Sequence, residues 1–203
     1  MPEKPFAESA ARNSGSILEV LRDELRHSES VLEIGSGTGQ HAVCFAAALP
    51  HLCWQTSDRE DSHSAINAWI DDSNLENIRR PLALDVMDAT IQSSQYDAVF
   101  SANTAHIMSF AAVTKMFALV GRALKRSGLF CVYGPFRVNG KFTTPSNQHF
   151  DASLRARDPS MGIRDLTALD ELGAANGIQR AGLYALPANN LLAVWQKCAA
   201  DCA

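Results

Sequence analysis

Apolar residues recur along this chain with two alternating periods. Ile17, Leu18, Val20, Leu21 and Leu25 fall on one face at helical spacing, behind Ser14-Gly15-Ser16, and predict an amphipathic opening helix. Ser30 to Ile34 then reads as a short strand that runs directly into Gly35-Ser36-Gly37-Thr38-Gly39 and a helical stretch from Gln40 to Leu49. The alternation repeats: strand Leu52 to Thr56, helix Ser62 to Asp72, strands Pro81 to Leu84 and Tyr96 to Ser101, helix Phe110 to Leu124, strand Gly128 to Tyr133. A polar, turn-rich stretch follows to about Ser160, with Asn139-Gly140 as a hairpin turn between Phe136-Arg137-Val138 and Lys141-Phe142-Thr143. A helix from Leu166 to Asn176 leads to Ile178 to Leu186 and Leu191 to Lys197, a closing antiparallel pair joined across Pro187-Ala188-Asn189-Asn190. Strands alternating with helices predict an α/β fold: a Rossmann-like, doubly wound sheet of seven strands, mostly parallel, with an antiparallel C-terminal strand.

At 203 residues the chain is expected to form a single domain, with 1–28 as an N-terminal helical cap and 134–160 as a lid-like insertion. Hydrophobic residues at 46% and charged ones at 20% are the proportions of a folded globular protein rather than of a disordered chain. Of the five cysteines, Cys44, Cys53 and Cys131 lie in apolar stretches, as reduced thiols do, which argues for the cytoplasm. The apolar run Ala42 to Pro50 is far shorter than the roughly 20 residues that span a bilayer, so no membrane insertion is expected, and no export signal opens the sequence. A formal charge of -4 opposes binding to nucleic acid.

The chemistry concentrates at the glycine loop. Glycine after a first strand lets the backbone turn sharply and lets a ligand approach it without a Cβ in the way. The spacing G-x-G-x-G, with Gln40 after Gly39, departs from the dinucleotide pattern G-x-G-x-x-G, and no Gly-Lys-Ser/Thr marks a P-loop. Glu33 precedes the loop by two residues, while Asp58 and Asp85 end the second and third strands, whose tips converge on one crevice. Such a ring of acids repels a pyrophosphate and attracts a sulfonium and an ammonium, the two cations of S-adenosylmethionine. Asp58 follows Gly39 by 19 residues, the usual distance for an acid that accepts from ribose hydroxyls.

Through Glu33-Ile34-Gly35-Ser36-Gly37-Thr38-Gly39, Asp58 and Leu84-Asp85-Val86, the sequence resembles the class I S-adenosylmethionine-dependent methyltransferases. The resemblance implies a cofactor site in which Gly35, Gly37 and Gly39 face the methionine part, Asp58 the ribose and Asp85 the adenine amino group. Glu33, Ser36, Thr38, His41, Arg59, Val86 and Asn103 would line it, and the product would be S-adenosylhomocysteine. A narrower resemblance covers nearly the whole chain and is to the family that includes methyltransferase-like protein twenty-six. It rests on Arg12-Asn13, Asn103-Thr104-Ala105-His106-Ile107, Tyr133-Gly134-Pro135-Phe136, Ser146-Asn147-Gln148-His149-Phe150-Asp151, Gly162-Ile163-Arg164-Asp165 and Pro187-Ala188-Asn189-Asn190. That family's pattern has Met before Pro-Ala-Asn-Asn, where Leu186 stands here. It adds Arg12 and Asn13 to the implied cofactor residues and leaves the acceptor open.

Methyl transfer from a sulfonium is an in-line displacement, so alignment and exclusion of water matter most, with a base only where the acceptor must lose a proton. Asn103, His106 and Tyr133, at the carboxyl ends of the fourth and fifth strands, are the candidate catalytic residues, His106 as a base titrating near neutrality. Asn103-Thr104-Ala105-His106 is not the Asn/Asp-Pro-Pro-aromatic turn of enzymes that methylate adenine or glutamine. The stretch from Arg137 to Arg164 holds five Arg or Lys against two Asp, so an anionic small molecule is the expected acceptor, with Asn147, Asp151, Arg155 and Arg164 as its candidate ligands. No His-x-x-x-His or Cys-x-x-Cys spacing points to a metal, and Cys198 with Cys202 reads as part of a frayed tail. A noncatalytic sensor or interaction module that binds the same cofactor would carry the same glycine loop, and a nucleotide-dependent oxidoreductase is the more distant rival.

Overall fold

In a computed structural model, residues 4–198 are described; Cys202 lies outside them. In chain order the elements are α1 (Glu8–Glu24), β1 (Ser30–Glu33), α2 (Gln40–Ala48), β2 (Cys53–Asp58), α3 (His63–Ser73), β3 (Ile78–Ala83), β4 (Tyr96–Ala102), α4 (Phe110–Ala123) and β5 (Leu124–Gly134). Then come β6 (Phe136–Val138), β7 (Lys141–Phe142), α5 (Pro145–Arg157), β8 (Arg164–Asp165), α6 (Leu166–Ala175), β9 (Ile178–Leu186) and β10 (Asn190–Lys197).

Seven strands form one sheet in the order β3-β2-β1-β4-β5-β10-β9. β3, β2, β1, β4 and β5 run parallel, and β10 closes antiparallel against both β5 and β9. This is the Rossmann-like, doubly wound arrangement expected from the alternation of periods. Successive strand residues point to opposite faces, so Val31 and Leu32, or Ala98 and Val99, feed two separate cores. One face carries α1, α2 and α3 through Ile17, Leu21, Phe45, Ile66 and Ile70; the other carries α4 and α6 through Val113, Phe117, Val120 and Leu169. The strand order reverses between β1 and β4, and there the carboxyl ends open the crevice that such sheets use for ligands.

Two segments depart from the sequence reading. The opening helix begins at Glu8, so Ser14-Gly15-Ser16 lies inside it rather than ahead of it. The two serines bend back onto the helix, Ser14 Oγ donating to the Ala10 carbonyl at 2.6 Å and Ser16 Oγ to the Asn13 carbonyl at 3.1 Å, so they satisfy themselves without ending it. The supposed turn-rich stretch holds the 13-residue helix α5. Its start was written in the sequence: Thr144 accepts from the Asn147 amide as N-cap, and Pro145 opens the first turn, where its missing N–H costs nothing. The hairpin at Asn139-Gly140 is present, with both residues at positive φ, and joins β8 in a small three-stranded sheet. Cys198 is tied down, its amide donating to the Gly177 carbonyl at 2.9 Å.

Candidate functional site

The carboxyl ends of β1 to β4 enclose a cavity of about 680 Å³. Its walls include Gly35 and Gly37 of the loop, Asp58 and Arg59 after β2, Leu84, Asp85, Val86 and Met87 after β3, and Asn103 and Thr104 after β4. The loop is pinned from below: the amides of Gly35 and Ser36 both donate to the Ser57 carbonyl at 3.0 Å. The Gly37 amide donates to Asp58 Oδ2 at 2.8 Å, which fixes the first strand tip against the second. A carboxylate has lone pairs to spare after that bond and the one its Oδ1 takes from the Arg59 amide, so Asp58 can still accept from a ligand. At Gly37, φ is +59° and a Cβ would meet nothing within 4 Å, so the space above it belongs to the cavity.

Several residues expected at the cofactor lie elsewhere. Glu33 is 1% exposed and sits beneath the loop, where Ser36 Oγ donates to it at 2.9 Å and Trp54 Nε1 at 3.2 Å. Burial raises its carboxyl to about 7, against those two hydrogen bonds and with help from the charge of Asp58. The ring of three acids is therefore a pair, Asp58 and Asp85, and on the cavity wall Arg59 and Arg157 offset them. Gly39 caps α2 at φ +90°, where a Cβ would stand 3.0 Å from the Ile66 Cα; its missing side chain lets α2 pack on α3, and it is not on the cavity wall. Thr38 turns to Gln40 Oε1 at 3.1 Å, and neither it nor Ser36 reaches the wall. His41 stacks on Phe45 and shares a 2.7 Å hydrogen bond with Asn13 Oδ1, so it braces α2 against α1; burial lowers it to about 4.

A second cavity of about 700 Å³ lies on the β5 side of the first. α1 contributes Ser9, Arg12, Asn13 and Ser16, one polar face at spacings of three and four, while Ile17 and Leu21 face the core. Arg12 and Asn13 thus belong here rather than with the glycine loop. Tyr133 and Pro135 follow from β5, Ser146, Asn147 and Phe150 from α5, and Pro187, Ala188 and Asn190 from the final turn. Asn147 also donates to the Asn189 carbonyl at 3.0 Å, which links α5 to that turn. Asn103, at φ +59°, lines both cavities and is where they meet.

His106 lines the second cavity, but its ring is packed edge-on against Phe150 at 5.3 Å. Burial, with a smaller push from the Arg164 charge, lowers it to about 4, so it does not titrate near neutrality as its type suggested. Tyr133 is 3% exposed, and burial raises its phenol while the amides of Asn13 and Asn190 act the other way. Of the four expected acceptor ligands only Asn147 reaches this wall. Arg155 pairs with Asp151 at 2.7 Å, and Asp151 also accepts from the Ile163 amide at 2.7 Å. The Arg164 guanidinium is spent on the carbonyls of Ala105, Met108 and Ser160. Together these three side chains fasten α5 and its following loop to the turn at 104–108, a local consequence of buried charge seeking partners. Among the wall residues missed from sequence, Arg157 and Met161 on the first cavity and Phe150 on the second depend on that unread helix and the loop after it, whereas Ser9 and Ser16 lie on α1 and Met87 after β3.

The fold is that of solved methyltransferases. An O-methyltransferase family protein from Burkholderia thailandensis matches at a TM-score of 0.82 and 13% identity, over 96% of this chain and 59% of that one. Human N-acetylserotonin methyltransferase, solved in complex with S-adenosylmethionine (SAM), matches at 0.79 and 16% identity, over 95% of this chain and 53% of that one. The YcgJ protein from Bacillus subtilis matches at 0.73 and 18% identity over 93% of this chain and 99% of its own. The chain spans somewhat over half the length of the O-methyltransferases it matches. A family model described as "Protein of unknown function (DUF938)" matches residues 4–197, and the chain belongs to that family.

Proposed function

We propose that this protein is a SAM-dependent methyltransferase with a small-molecule acceptor. The observation that carries the reading is the pair of cavities meeting at Asn103, one built from a glycine loop and two acidic strand tips, the other from α1, α5 and the closing turn. The first cavity fits the cofactor: at Gly37 a Cβ would meet nothing within 4 Å, which leaves the backbone open to a ligand, and Asp58 and Asp85 retain free lone pairs for ribose and amino groups. Bound there, SAM would supply a methyl cation equivalent: the acceptor atom bonds to the methyl carbon as the carbon–sulfur bond breaks, and the bonding pair stays on sulfur. Gly35, Gly37, Asp58, Arg59, Asp85, Val86 and Asn103 would hold it, and Thr104, Ile107 and Met108 would exclude water from one side. Asn103, as the shared wall, would align acceptor and donor, which is the main contribution such a reaction asks of its enzyme. The fold relatives named as methyltransferases support the reading, and the free thiols Cys44, Cys53, Cys131 and Cys198 support a reducing cytoplasm.

Calorimetry tests it directly. SAM and S-adenosylhomocysteine should both bind, and Gly37→Val or Asp58→Ala should remove binding while the protein stays folded by circular dichroism. Binding of NAD(P) in preference to either would overturn the proposal. Turnover then separates an enzyme from a sensor: labelled methyl should pass from SAM to the metabolite fraction of a cell extract, and label confined to the donor would favour a noncatalytic module.

A further inference from the structure

The second cavity is apolar over much of its wall, through Pro135, Phe150, Pro187 and Ala188. Among the described residues lining it there is no Asp, Glu or Lys, and Arg12 is its one formal charge at neutral pH. Arg12 is held by Glu8 at 3.0 Å in an ion pair that is more than two-thirds exposed on both sides, so a ligand can take the guanidinium over at little cost. The two groups able to exchange a proton with an acceptor, His106 and Tyr133, are both nearly fully buried. Burial makes the imidazole a poor proton acceptor and keeps the phenol protonated.

These features discriminate among acceptors. An alkyl hydroxyl must give up a proton as it is methylated, and the cavity wall offers no group of suitable basicity to receive it. An alkylamine is an ammonium at neutral pH, so it would have to shed a proton and would enter a cavity whose one charge is already positive. An anion meets neither obstacle: it carries its nucleophilic pair at the outset, no proton leaves, and its charge is neutralised as the methyl group arrives. We infer that the acceptor is an apolar-bodied small molecule whose receiving oxygen or sulfur is already ionised at neutral pH, with Arg12 as its counter-ion in the cavity beyond Asn103. This rests on the methyltransferase reading above and names the substrate class for the same site.

The test uses the full chain and size-matched aromatic probes. One arm holds benzoates, acidic phenols and thiophenols; the other holds benzyl alcohols and benzylamines. With labelled SAM, label should pass to the first arm, with rates that follow the ionised fraction of each probe and a pH midpoint at the probe's own pKa. Arg12→Ala should raise KM for these probes about tenfold or more and Arg12→Lys should recover part of it, with SAM affinity unchanged. Titration calorimetry of benzoate into the S-adenosylhomocysteine complex should show binding that Arg12→Ala removes. His106→Gln should leave the pH midpoint where it is. Label in the alcohol or amine arm, none in the anionic arm, benzoate binding indifferent to Arg12, or a pH midpoint that disappears with His106→Gln would each overturn the inference while SAM still binds. Failure of SAM to bind would instead bring down the methyltransferase reading and the inference with it.

Discussion

Replacing Glu33 by Gln should stabilise the protein above neutral pH and do little in acid. Glu33 lies under the glycine loop with its carboxyl raised from an ordinary 4.5 to about 7, chiefly by burial. In the unfolded chain the same group ionises near 4.5, so between these values the folded state holds a proton that the unfolded state has released. Whatever stability the protonated carboxyl contributes is fully present below pH 4.5 and is lost as pH rises to about 7. At about 1.4 kcal/mol for each pH unit between the two values, the loss comes to about 3 kcal/mol. Glutamine imitates the protonated acid: its Oε1 can accept from Ser36 Oγ and Trp54 Nε1, and it never ionises. Urea unfolding of both proteins at pH 5, 6, 7 and 8 should therefore give a difference in unfolding free energy that grows with pH in favour of Glu33→Gln, by about 3 kcal/mol in all. A difference that stays level across this range, or that shrinks, would refute the account of a carboxyl forced into an apolar layer.

Gly39 and Gly37 should respond differently to alanine. At Gly39 the new Cβ meets the Ile66 backbone at 3.0 and 3.3 Å in addition to a positive φ, so Gly39→Ala should cost on the order of 2–3 kcal/mol, whereas Gly37→Ala, in open space, should cost only about 1; equal melting temperatures would count against the packing argument. Arg164→Ala removes the donor shared by one buried and two part-buried carbonyls and should lower unfolding free energy by about 2 kcal/mol. An unchanged melting temperature with a raised acceptor KM would restore Arg164 as a ligand. The Cys131 thiol, fully buried and with its ionisation pushed upward by that burial, should react with a disulfide reagent only at the rate of global unfolding, well after the half-buried Cys44, Cys53 and Cys198; early modification of Cys131, read by peptide mass, would show the core opening locally.

The sheet was legible because its signals are periodic and local. Buried parallel strands such as Val31 to Glu33 read as short apolar runs, and the glycine loop between β1 and α2 names its own turn. The first cavity followed, since residues at strand tips are brought together by topology alone, and Gly35, Gly37, Asp58, Asp85 and Asn103 need no further information to converge. What sequence could not give is direction within a neighbourhood. Glu33 and Ser36 belong to the loop motif, yet their side chains turn into the core, because Trp54 Nε1 below them needs an acceptor as much as a ligand above would need a donor. Composition misled in a related way. The positive charge of 137–164 looked like an anion site, but Arg155 pairs with Asp151 and Arg164 with backbone carbonyls, and Arg157 lines the first cavity instead.

The cation that does line the second cavity, Arg12, comes from the opening helix, more than a hundred residues away from the cluster that seemed to supply it. The reason is mechanical. A guanidinium that must hold the 104–108 turn in place cannot also let go to meet a substrate, and only one whose partner is a solvent-exposed carboxylate can be exchanged cheaply. Within this cavity, availability rather than local charge density marks the residue to test.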